Sequence, residues 1–345
     1  MRLDIDGRNC ELESGRSILD AVKKEGLDSI MLSDRPLAAQ IGGEVFNLRF
    51  TPKKDTQIHL LRYGEDMGRR VYERTLQFLF ILAMRKEFPR ARVCVRYSLG
   101  PGLFITVGGM EEPFNEEAAL KVETEMRRLV RLKLPLERRR ISIKEALSFY
   151  EQDGQADKAK LLKWRRFSYF DVYQIDGYMD YFYGEMAPDT SYADVFRVKY
   201  VHDGAVVLLM PRNDAPDVPS DYVDLPKLHA VFHQSDEWGK LMECATVNDL
   251  NTHIQNGTIR ELVRINEALH DRGYADIADK IVQKGAKAVL VAGPSSSGKT
   301  TSAHRISTQL RLQGCHPAML SLDDYYIDRD KIERDENGEI DLENI

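Results

Sequence analysis

Eight residues near the end of the chain, Gly293-Pro294-Ser295-Ser296-Ser297-Gly298-Lys299-Thr300, constrain it more than any other stretch. Two glycines at this spacing let a backbone curl until successive N–H groups point inward as a nest for phosphate oxygens. A helix opening there adds its positive end. Lys299 can then reach the outer phosphates of ATP or GTP, the Thr300 hydroxyl can hold Mg²⁺, and Thr301 continues the helix. The flanks agree with such a nucleotide-binding loop. Residues 287–293, KAVLVAG, read as a buried strand, Ala303, Ile306 and Leu310 share a helix face that Gly314 closes, and 317–322 read as a second strand. Strand, loop, helix and strand in that order predict a parallel crossover. The plain alternative is a serine- and glycine-rich surface turn.

The second strand ends in Ser321-Leu322-Asp323-Asp324-Tyr325-Tyr326. Ligands of open parallel sheets sit beyond the carboxyl ends of the strands. Asp323 is therefore a candidate to orient or deprotonate an acceptor hydroxyl, and the tyrosines to border a sugar or base. An Asp-Asp turn with core tyrosines explains the same residues equally well.

The remaining sequence calls for more than one domain, because 345 residues exceed the roughly 250–300 that one core serves. A net charge of −6 excludes whole-chain attraction to nucleic acid or to an anionic membrane but leaves room for local basic faces. Cys10, Cys94, Cys244 and Cys315 lie far apart without a CxxC pair, which suits a reduced, cytoplasmic setting. The longest apolar run, 76–84, is about half of what crosses a bilayer, and the opening MRLDIDG has no apolar leader, so no membrane partner is expected.

Residues 1–62 read as a small mixed domain. A hairpin opens it, Ser17 and Asp20 cap a short helix that Gly26 closes, and strand-like pieces follow at 30–32, 45–48 and 57–61, which is the order of a β-grasp fold. Residues 68–240 read as a larger α+β region. A helix over 69–86 stripes Tyr72, Leu76, Leu79, Phe80 and Ala83, a second opens near Asn115, and a third opens at a Ser142/Glu145 capping box. Aromatic-rich strands fill 167–182 and 195–210, and the prolines at 211, 216, 219 and 226 mark a boundary. Residues 246–284 read as a helical connector, opened by a Thr258/Glu261 box and ended by Gly273.

From 286 onward, GPSSSGKTT and the S-x-D-x-[FY]-Y segment together resemble the uridine kinase and phosphoribulokinase-like branch of P-loop kinases. That resemblance implies an ATP- or GTP-dependent nucleoside kinase of the uridine/cytidine type acting on a 5′-hydroxyl, with Mg²⁺, Asp323 as catalytic carboxylate beside Lys299, and Tyr326 as a nucleoside contact. Upstream, 1–62 look like a TGS domain, and 68–240 look like the editing-type second domain of threonyl-tRNA synthetase. Asp180-Tyr-Phe-Tyr-Gly-Glu-Met-Ala-Pro-Asp-Thr190 parallels that domain's D-x-C-x-G-P-H-x-P-x-T stretch. The expected fold class is thus an α+β N-terminal region, β-grasp plus editing-like, followed from 286 to 345 by the start of an α/β P-loop kinase domain. Too few residues follow Gly293 for a doubly wound domain, which needs on the order of 100–150. A chain cut short inside the kinase domain, able at best to bind nucleotide, is therefore expected.

The synthetase domain pairs H-x-x-x-H with a cysteine and a histidine. Matched to those positions, this chain has Tyr72, Leu76, Phe182 and Met186, a poor set for Zn²⁺, so no zinc site is expected. His229 and His233 stand four apart without a third ligand. The arginines at 127, 128, 131, 138, 139 and 140 make RNA a possible partner, though a solvated face is the preferred reading. A TGS-type GTPase would need an N/T-K-x-D segment, which is missing. The alternative to a kinase is a TGS-type regulatory protein that binds RNA or an amino acid and senses nucleotide through its glycine loop.

Overall fold

A computed structural model describes residues 1–325 as two compact units, one comprising Met1–Leu241 with Thr246–Asn248, the other Met242–Ala245 with the residues from Asp249 onward. The first unit is α+β and holds several separate sheets.

Its opening sheet is built from β1 (Arg2–Ile5), β2 (Arg8–Glu11), β3 (Ala38–Ile41), β4 (Glu44–Phe46) and β5 (Thr56–Leu61) in the order β2-β1-β5-β3-β4. Only β1 and β5 run parallel. Helix α1 (Ile18–Lys24) crosses the sheet, and Ile18, Ala21 and Val22 join Leu3, Ile5, Ile58 and Leu60 in one core. Its start is fixed as expected: Ser17 Oγ accepts from Asp20 N–H at 3.2 Å while Asp20 accepts from Ser17 N–H at 2.8 Å. Residues 30–32 are a turn instead of the expected strand, with Ile30 89% exposed. The strand lies later, at β3, whose two alanines carry little β signal.

Helix α2 (Asp66–Glu87) is longer than the expected 69–86 and buries both Tyr72 and Leu76 completely. It packs with α3 (Glu116–Leu132) and an antiparallel sheet around the largest core. The strands of that sheet are β6 (Arg92–Leu99), β7 (Gly102–Gly108), β11 (Arg197–His202) and β12 (Ala205–Leu209), in the order β11-β12-β7-β6. Each fully buried Leu or Phe of this core adds roughly 1.5–3 kcal/mol. Asn115 caps α3 by accepting from Ala118 N–H at 3.0 Å, and Glu116 and Glu117 follow in the first turn.

Between them in sequence lies a smaller layer. Strands β8 (Glu137–Ser142), β9 (Tyr169–Ile175) and β10 (Tyr178–Asp180) form the sheet β10-β9-β8. Helices α4 (Ile143–Gln152) and α5 (Ala156–Leu162) cover one face through Ala146, Tyr150, Ala159 and Leu162. The expected Ser142 cap of α4 is present, its Oγ accepting from Glu145 N–H at 3.1 Å. A short pair, β13 (Pro211–Arg212) and β14 (Ala215–Pro219), and helix α6 (Pro226–Leu241) complete the unit.

The second unit is helical. Most of α7 (Val247–Gln255) belongs to it, from Asp249 on, and α8 (Ile259–Gln283) packs on α9 (Lys299–Leu312) through Ala278, Ile306 and Leu310. Gly273, expected to end the element, lies inside α8, where flanking helix formers outweigh its cost of about 1 kcal/mol. Thr258 precedes α8 without capping it, since its hydroxyl pairs with His253 Nδ1 at 2.8 Å. The strands expected at 287–293 and 317–322 are absent, and no strand follows β14 among the described residues. A parallel strand persists only when paired and covered on both faces. Here α9 faces α8, and Leu290 is 93% exposed.

No helix among the described residues is long and apolar enough to cross a membrane.

Candidate functional site

Two places are candidate sites. In the second unit, the glycine loop runs into α9 with Gly298 as its N-cap at φ 82, a left-handed conformation that suits glycine. Ser296 also has positive φ, at 61. Lys299 Nζ turns back on its own loop and donates to Gly293 O at 2.8 Å and Pro294 O at 2.9 Å. A Cβ on Gly293 would stand 2.7 Å from Ser297 Oγ, so this glycine permits the close approach. Thr300 and Thr301 are exposed in the first turn. Asp323 is exposed in the 3₁₀ turn Leu322–Tyr325, not at the end of a strand, and Tyr326 lies outside the described residues.

In the first unit, a cleft of about 710 Å³ opens between α2, β6, Lys158 and the segment after β10. Asp180, 2% exposed, anchors that segment. It accepts from Lys158 Nζ at 2.6 and 2.7 Å and from Tyr181 N–H at 2.8 Å. Arg74 Nε donates to Glu185 O at 2.9 Å, and the guanidinium lies across Gly184, where a Cβ would stand 2.9 Å from the guanidinium carbon. Gly184 has φ 104, a backbone conformation that demands glycine, whereas the Arg74 guanidinium is the end of a flexible side chain and could yield to a Cβ. Burial pushes the Glu73 carboxyl up and the Arg74 guanidinium down from their ordinary values. Gln77 Nε2 donates to Glu73 at 3.0 Å.

Arg74, Thr75 and Phe78 of α2 meet this segment, and Leu76 is buried in the same core cluster as Met186. Thr75 Oγ1 accepts from Ala187 N–H at 2.9 Å, and the Phe78 and Phe182 rings lie 5.3 Å apart. Tyr72 turns away and donates to Val195 O at 2.7 Å. Arg74 and Phe78, also four apart, stand on the side of α2 that meets this segment. A permanent cation and an aromatic ring stand beside Phe182, with Met186 fully buried. No group of three metal-binding side chains occurs among the described residues. His229 pairs with the Tyr97 hydroxyl at 2.7 Å, its ring 6.5 Å from that of His233.

The arginines divide. Arg127 and Arg128 pair with Glu123 and Glu125 on their own helix at 2.7 and 2.6 Å. Arg138 and Arg140 share Asp171, at 3.1 and 2.8 Å, across the β8–β9 pair.

No protein-family model matches the chain. Among characterised proteins it is similar to threonine–tRNA ligases. The ligase of Clostridium kluyveri is 24% identical over 194 residues, 56% of this chain and 30% of that protein. Those of Acetivibrio thermocellus and Symbiobacterium thermophilum are 28% identical over 160 residues and 26% over 197, covering 24% and 29% of their own lengths. The chain thus spans less than a third of these relatives. This finding overturns the nucleoside kinase reading and with it the phosphotransferase class. The named relatives are ligases of threonine and tRNA, and none supports a uridine kinase fusion or a nucleoside substrate. The roles given to Asp323 and Tyr326 presuppose such a substrate.

Proposed function

We propose that this chain is a regulatory protein of the TGS type that binds RNA, with tRNA as the favoured class, and takes an amino-acid-like group in the α2 cleft. The carrying observation is the similarity to threonine–tRNA ligases over roughly half of the chain. In this reading 1–62 form a TGS-like module, 68–240 an editing-like platform and 246–284 a helical connector, in a cytoplasmic protein. The cleft supports it chemically. Arg74 and Glu73 offer a cation and a carboxylate side by side, complementary to the two ends of an amino acid. With no histidine anywhere in α2, hydrolysis assisted by a metal is not part of the proposal.

The segment 293–301 serves as a nucleotide sensor, its nest and helix terminus taking the phosphates of ATP or GTP with Mg²⁺ at Thr300. The test is tRNA binding by the 345-residue chain, run beside nucleoside phosphorylation with labelled ATP. Micromolar or tighter tRNA binding without phosphorylated nucleoside is expected. Phosphorylation of any nucleoside, or failure to bind tRNA, would overturn the proposal.

A further inference from the structure

We propose that the open end of the β8–β9 face is a stacking platform for unpaired RNA bases, an inference that rests on the RNA-binding reading above. Four side chains form a row on it. The Arg165 guanidinium lies 5.8 Å from the Phe167 ring, Phe167 lies 5.7 Å from Tyr169, and the Arg140 guanidinium sits 4.0 Å over Tyr169.

The pairing places Arg140 and Tyr169, and Phe167 lies in the bend that leads into β9. Ser142 opposes Tyr169 and Arg140 opposes Asp171, so these four share one face of the sheet. Ile141, Phe170 and Val172 occupy the other face, against α4 and α5. The row is held in place before any ligand arrives. Arg140 Nε donates to Asp171 at 2.8 Å, and Arg165 Nε donates to Tyr169 O at 3.1 Å.

Phe167 is the informative residue. It is 61% exposed and belongs to no buried cluster, yet it stands between Tyr169, its ring tilted 41° to Phe167, and the Arg165 guanidinium, which also lies 4.9 Å from the Phe170 ring. Lys160, Lys163 and Arg166 are exposed beside it in sequence and form no ion pair among the described residues. A solvated loop accounts for such cations but not for an exposed ring held against Tyr169 and Arg165 among them. Flat π-faces interleaved with these cations fit splayed bases and their phosphates. A duplex, whose bases are already stacked, offers only its phosphates to this surface.

The experiment uses the 345-residue chain and fluorescence anisotropy with a labelled single-stranded RNA of about 12 nucleotides, a blunt duplex of equal length, and tRNA. Tighter binding of the single strand than of the duplex is expected, with ultraviolet crosslinks at Phe167 or Tyr169. Phe167→Ala should weaken single-strand binding roughly tenfold, and Phe167→Tyr should restore it. Lys163→Ala and Arg166→Ala should each flatten the salt dependence, lowering the log–log slope by about 0.7 for each phosphate that is no longer neutralised. Circular dichroism confirms that the variants fold. If RNA binds but Phe167→Ala binds single strands as tightly as wild type, or the duplex is preferred, the platform is overturned and the RNA-binding reading survives. If the wild-type chain binds no RNA at all, both are overturned.

Discussion

His59 bridges two carboxylates, Nδ1 to Asp6 at 2.9 Å and Nε2 to Glu65 at 2.7 Å, while Arg62 reaches Asp6 at 3.1 Å. The Glu65 hydrogen bond, and then that of Asp6, hold the imidazole above its usual 6.5 against the opposing effect of burial. A raised folded value stabilises the protein below the unfolded value, and the gain is lost as pH rises through the folded one. His59→Gln should therefore cost stability near pH 5.5 and little near pH 9, as read from urea midpoints. The side chain is half exposed, so screening leaves on the order of 0.5 kcal/mol. Lys299→Ala should weaken Mg²⁺–ATP binding at least tenfold by removing the point charge on the outer phosphates. Isothermal calorimetry that found equal affinities would remove the sensor role. Single residues are legible in the sequence where their partners are local. The Ser17 and Asn115 caps are visible there because capping spans three residues. The Phe78 partner of Phe182 is not, because the two rings stand far apart in sequence and only packing brings them to 5.3 Å.

Among the elements, α2 enters the fold through a close approach. A Cβ on Gly68 would stand 1.9 Å from the carbonyl oxygen of Arg62, backbone that cannot step aside. Gly68→Ala should cost about 1–3 kcal/mol through a shifted helix start, although alanine is the better helix former. A thermal melt no lower than wild type would refute that close approach. The long helices α2 and α3 are legible in the sequence because their 3.6-residue stripes meet a large core. Strands are less so. The segment of β6, Arg92–Leu99, alternates over eight residues between exposed Arg92, Cys94, Arg96 and Ser98 and the half-buried Val93, Val95 and Tyr97, so its only signal is the period of two and no apolar run marks it. The opposite error arises at Val289-Leu290-Val291, an apolar run with no strand to pair with among the described residues. Apolar pattern reports what a segment would bury, and neighbours decide whether it does.

For the whole molecule, the division into two units means that RNA binding and nucleotide binding can be scored separately. Elemental analysis of the purified chain should find far less than one zinc per protein. A stoichiometric, chelator-sensitive zinc would contradict the side chains seen around Phe182. The motif that most constrains the sequence is a poor guide to function, because a phosphate nest is compatible with many activities. The parallel to the D-x-C-x-G-P-H stretch, by contrast, leads to the cleft. The segment after β10 also separates two kinds of inheritance. Asp180, clasped by Lys158, and Gly184, which lets Arg74 lie flat, hold the backbone path, whereas the ring of Phe182 is borne on that path without a hydrogen bond of its own. Residues that shape a loop and residues that give it a chemistry are then free to drift at different rates. A saturation library selected only for folding should reject nearly every replacement at 180 and 184 while accepting many at 182, and a lineage could change occupation without rebuilding the house.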